Sequence, residues 1–299
     1  MNKRPLYNKN ELGRSFGFAV AAMLVGQFAL GLFFSPFVRE DGSLPDVAFW
    51  LMQALYTLII GFSAFLYATV ARTDFFNATA VNRAPKFAHV GWGCLITVFL
   101  IALMLPLNEL FLKLIVLSGL PEPSVDLPMQ IAPLIVVSCV LAAMTEEVLF
   151  RGTVARTLAD NKNKLAALAI SGALFALFHT NPAQTLHQFV LGALLTLLVL
   201  RSGSVWTTVL VHFFNNLLAV ILTFLLEDDA VFVNYWYVFV PVGLVGFVAS
   251  LFGYLKTTSD AWEPTEGAEV AMDGYSKSFL GVGIAVCAVL WVANLLGWL

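Results

Sequence analysis

Six residues of this chain have the types and the spacing to do chemistry together: Glu146, Glu147, Arg151, His179, His212 and Asn216. The stretch Glu146-Glu147-Val148-Leu149-Phe150-Arg151 closes an apolar run that begins near Ile131. A charged side chain deep in a membrane helix costs at least ~2.5–3.5 kcal/mol, so two adjacent carboxylates there need a reason. Glu147 and Arg151 are four apart and share a helical face, where they can pair. Glu146 is turned away from that pair. One carboxylate is thus neutralised and one is left for chemistry. His179 ends a second apolar stretch, four residues after Phe175, which reads as core packing. His212 and Asn216 are four apart in a third stretch and share a face. Asn215 is turned about 100° from Asn216 and is expected to face elsewhere. His187 starts another apolar stretch and reads as an interfacial residue.

No Ser, Cys or Lys stands beside a His as an activated nucleophile would need. The groups present suit water instead. A carboxylate with a His can orient a water and take its proton. A second His and an amide can donate hydrogen bonds to a developing oxyanion. That is the equipment of an acyl-bond hydrolase, most simply of a peptidase. The same side chains, Glu146, His179 and His212, also make a three-ligand metal set with an open position for water. The cofactor expectation is therefore none or one divalent metal, zinc first. The usual His-Glu-x-x-His zinc protease helix is absent.

The elements that must position these residues are membrane helices. The 299 residues are 60% hydrophobic and 12% charged, against about 25% charged in soluble domains. The expected fold is all-α: one polytopic transmembrane bundle over 1–299, of eight to nine spans, with a catalytic core at 131–219. Nine stretches approach the ~20 apolar residues that a bilayer needs. They are 16–37, 47–71, 87–107, 131–150, 164–180, 186–200, 205–226, 235–255 and 279–299. The shortest is 186–200. Spans one to three, eight and nine carry no acid or base at mid-depth and read as scaffold. Cys94, Cys139 and Cys287 lie in apolar segments and read as buried free thiols. No basic run points to nucleic acid, so the expected partners are the lipid bilayer and a membrane-associated protein or peptide substrate.

Lys and Arg gather after spans two, four, six and eight and before span one, while Arg39 and Lys113 fall on the other side. The loops on that other side are acidic, at Glu40, Asp41, Asp46, Glu122, Asp126, Glu227, Asp228 and Asp229. Positive charge marks the cytoplasmic face. The expectation is a cell (inner) membrane protein with a cytoplasmic N-terminus and, for nine spans, an external C-terminus.

Glu-Glu-x-x-x-Arg, Phe-x-x-x-His and His-x-x-x-Asn, in this order and all in membrane helices, resemble the CPBP family. These are the CAAX-protease and bacteriocin-processing membrane proteins, also called Abi proteins or type II CAAX prenyl endopeptidases. Glu146 to Gly152 reads EEVLFRG and Val205 to Asn216 reads VWTTVLVHFFNN. The resemblance covers roughly 131–219. It implies intramembrane proteolysis in a cavity reached from the membrane or the cytosolic side. It implies that Glu146 and His179 activate water, that His212 and Asn216 stabilise the oxyanion, and that Glu147 and Arg151 shape and neutralise the site. It does not imply a prenylated substrate. Family chemistry has been described both with and without a metal, and the loose ligand set here favours metal-free glutamate catalysis.

Two other functions compete. A proton- or ion-coupled transporter could use a Glu–His cluster, but such folds often show repeats and broken helices in both halves, and here the charge lies in one central block. A catalytically inert partner or immunity protein could keep the same fold. One geometric problem also stands: these boundaries put Glu146 and His179 about 15 Å apart in depth at ~1.5 Å per residue. Extending the fourth helix to about Leu158 removes it, since only Gly152 interrupts that stretch. A deeper start to span five is the alternative, with the 180–185 link inside a cavity.

Overall fold

A computed structural model describes residues 7–123, 130–159, 163–225, 231, 234–262 and 272–298. Of the acidic loops, Asp126 and Glu227 to Asp229 lie outside these, as do Lys3, Arg4 and Lys162 of the basic clusters before span one and after span four. Among the described residues the chain is helical and has no strand. The helices are α1 Lys9–Phe34, α2 Asp46–Val70, the short α3 Phe75–Thr79, α4 Phe87–Leu117 and α5 Ile131–Leu158. They continue as α6 Lys164–Phe178, α7 Thr185–Ser202, α8 Val205–Leu225, α9 Trp236–Thr257 and α10 Gly274–Leu295.

Eight of these are long and apolar enough to cross a membrane. The exceptions are α3, with 5 residues, and α6, with 15. The expected shortest span, 186–200, is instead part of a 21-residue helical stretch, Pro182–Ser202. The short element is the one expected at 164–180. Its C-terminal side explains this: Thr180 adopts φ 51°, and Pro182 follows after one more residue. A positive φ is a strained conformation for a β-branched residue and stops the helix. At 1.5 Å per residue α6 rises only about 22 Å, so its end and the following link sit at depth rather than at a bilayer surface.

The fourth span does run on to Leu158, 28 residues in all, which places Glu146 near its middle. It is not a uniform α-helix. Residues Leu134–Leu141 and Phe150–Val154 are π-helical, and Ala155–Leu158 is 3₁₀. The two acids lie in the α-helical segment between the two π stretches. Wide turns of this kind free carbonyls from the ladder and recur at functional sites.

Packing is between neighbours in space more than in sequence. α1 packs on α2 and α10, α9 on α4, α6 on α7, and α8 on α4 and α5. Close approach of α6 and α7 depends on two glycines. A Cβ on Gly172 would meet the Phe189 carbonyl oxygen at 2.5 Å, and one on Gly192 would meet Gly172 Cα at 3.0 Å. Small residues of this kind let membrane helices pack backbone to backbone. Cys139 and Cys287 are buried free thiols, and Cys94 is free and partly exposed.

Candidate active site

Glu147 and Arg151 pair as their spacing requires. Arg151 Nη1 donates to Glu147 Oε1 at 2.8 Å, and both side chains are fully buried. Arg151 Nη2 also donates to the Gly192 carbonyl at 3.2 Å, where Gly192 allows α7 to come close. The guanidinium lies 4.1 Å from the centroid of the Phe175 ring. Phe175 is thus more than core packing. It touches the ring of His179 at 4.6 Å between centroids and that of His212 at 6.0 Å.

Glu147 does a second job that helical spacing could not reveal. Its Oε1 also accepts from His212 Nδ1 at 2.8 Å. A carboxylate only accepts, so the His212 proton sits on Nδ1 and the free nitrogen is Nε2. Glu147 therefore joins α5 to α8 and sets the tautomer of His212.

His179 follows the last residue of α6. Its Nδ1 faces the Phe175 carbonyl at 2.8 Å, which again puts the proton on Nδ1. Its Nε2 stands 3.7 Å from Glu146 Oε2. The two residues that the expected boundaries separated in depth are thus neighbours, because α5 is long and α6 is short. Both are partly exposed, at 15% and 22% of their side-chain surface. Asn294 of α10 holds the strained turn by donating to the Thr180 carbonyl at 3.1 Å.

Asn216 donates to the Ser138 carbonyl at 2.8 Å, in the first π stretch of α5. Asn215 does not face elsewhere. Its amide donates to Asn216 Oδ1 at 3.0 Å, and its own oxygen meets His187 Nε2 at 3.1 Å. His187 is therefore no interfacial residue. It lines the same cavity as Glu146, His179, His212 and Asn216. The polar run Gln184, His187, Gln188 at the start of α7 was the available signal, since three polar groups within two turns mark a wetted face. Each side-chain hydrogen bond is worth about 1 kcal/mol, so Asn215→Ala should lower activity roughly five-fold, not leave it silent. Steady-state rates of Asn215→Ala beside Asn216→Ala check this.

The cavity has a volume of about 630 Å³. Helices expected to be scaffold supply part of its wall: Trp50, Gln53 and Thr57 from α2, and Met104 and Asn108 from α4. A metal would need Glu146, His179 and His212 to turn donor atoms to one point. The Nδ1 atoms of both rings are committed to Phe175 and Glu147, which leaves each Nε2 as the available donor. Among the described residues no group of three or more His, Cys, Asp or Glu side chains is arranged to hold a metal ion.

Residues 128–218 match the family model described as Rce1-like, type II CAAX prenyl endopeptidase Rce1-like. The match contains all six site residues and covers under a third of the chain. No curated protein and no solved structure matches. The family match supports the resemblance carried by the three motifs and, at family level, a membrane peptidase of the CAAX-protease type.

Proposed function

We propose that this chain, assigned to the CPBP/CAAX-protease family through its central block, is an intramembrane endopeptidase. In this reading it hydrolyses a peptide bond of a membrane-associated protein or peptide with water activated by Glu146 and His179. The observation that carries the reading is the pair of acceptors facing each other at 3.7 Å, Glu146 Oε2 and His179 Nε2. One water can donate a hydrogen to each, which leaves its lone pair free to attack a carbonyl carbon. As the C–O bond forms, Glu146 takes the water's proton. It returns that proton to the amide nitrogen as the C–N bond breaks. The oxyanion is met by the remaining amide hydrogen of Asn216 and by His212 Nε2, which donates when the ring carries both protons. Glu147 and Arg151 are positioning residues: they hold His212 and cancel each other's charge.

That no three His, Cys, Asp or Glu side chains among the described residues are arranged to hold a metal ion supports chemistry without one. Cleavage of a membrane-anchored polypeptide by purified protein, beside a Glu146→Ala control, tests the activity. Proteolysis should survive prolonged chelation, and its loss with recovery on zinc addition would overturn the metal-free part. Equal cleavage by Glu146→Ala would overturn the whole reading. We place the protein in the cell (inner) membrane with the N-terminus in the cytoplasm, on the Lys and Arg bias.

A further inference from the structure

The cavity is built from one half of each helix. Its lining comes from positions 50–57 of α2, 101–108 of α4, 134–146 of α5, 187–188 of α7 and 212–223 of α8. Basic residues stand at the opposite ends. Arg72 follows α2, Arg83 and Lys86 precede α4, Arg156 is in the last turn of α5, Lys164 starts α6 and Arg201 ends α7. Hydrogen bonds tie that end together. Arg83 and Arg156 both donate to the Gly203 carbonyl at 3.3 Å, and Lys164 and Arg201 both reach Asp260. Lys and Arg gather on the cytoplasmic face, so the cavity occupies the half of the bundle on the other side, not the cytosolic side that the family resemblance implies.

The lining also has a chemical character. Besides Glu146 Oε2 of the site itself, three of its buried polar atoms have no hydrogen-bond partner within the protein: Trp50 Nε1, Asn108 Oδ1 and Gln188 Oε1. Trp50 is only 5% exposed. Leaving such atoms unpaired costs ~1–3 kcal/mol each, so a ligand that pairs them is favoured. One donor and two acceptors complement the carbonyl and N–H groups of an extended main chain. No Lys or Arg is among the described lining residues, so no permanently charged side chain there matches a free C-terminal carboxylate.

Resting on the protease reading above, we propose that the cavity receives an internal, extended segment of an exported polypeptide from the non-cytoplasmic face. The test uses the full chain in cells, with Gln184→Cys and Thr223→Cys on the lining and Lys164→Cys at the basic end. Labelling by a membrane-impermeant maleimide is read above the background of the three native cysteines. Gln184→Cys and Thr223→Cys should label in intact cells, and Lys164→Cys only after lysis. The reverse pattern, or lining cysteines that never label, overturns the proposal. In membranes, a short apolar peptide blocked at both ends should slow Gln184→Cys labelling several-fold. Protection by farnesol instead, or only by a peptide with a free carboxylate, overturns the internal-segment assignment. All arms are run on a Glu146→Ala background, so they read access and not turnover. Their failure is therefore distinct from failure of the protease reading.

Discussion

Arg151→Ala should destabilise the protein by about 3–5 kcal/mol, the usual consequence of stranding one member of a buried ion pair. Arg151 and Glu147 are both fully buried, so water cannot take over for the missing partner. The loss is compounded at the Gly192 carbonyl and over the Phe175 ring, which Arg151 also contacts. A drop in the thermal midpoint and in the yield of detergent-solubilised protein would show it. The double variant Glu147→Gln with Arg151→Gln should recover much of this stability, because neutral amides leave no buried charge. It should nevertheless be inactive, because the doubly protonated His212 ring that donates to the oxyanion loses the carboxylate that balances its charge. A double variant as unstable as the sum of the singles would refute the pairing.

Glu146→Gln should reduce proteolysis by ~10²–10⁴, the usual contribution of a general base, with little change in folded yield. Its near-isosteric amide keeps the packing but cannot accept a proton from water. His179→Ala should fall in the same range, since it removes the second acceptor at 3.7 Å. Combining the two should cost little more than either alone, because both act on one water. Additive losses would mean that the residues work on separate steps. Thermal midpoints near the parent's are expected for Glu146→Gln, whose carboxylate has no ion partner among the described residues other than His179 at 3.7 Å.

The sequence by itself determined the class and the cast. An apolar composition interrupted by charge in one block required a membrane bundle with a buried polar centre. The Glu147–Arg151 pair was legible because it is local: four residues along one helix fix the separation whatever the rest of the chain does. The three motifs named four more participants by type and order: Glu146, His179, His212 and Asn216. What the sequence left open was every contact between helices. Hydropathy does not register where a short helix stops, so it could not show that Thr180 and Pro182 end α6 at depth and bring His179 to Glu146. Helical angle counted from Asn216 wrongly sent Asn215 away. The cavity spans several helices, and His187 on α7 supplies Asn215 with a partner 28 positions back. Glu147 reaches His212 across 65 positions, and α2 and α4 wall the cavity, only because packing decides which helices are neighbours. Periodicity is a property of one helix. A site made by five of them depends on their relative depth and approach, which close contacts such as Gly172 on Gly192 set.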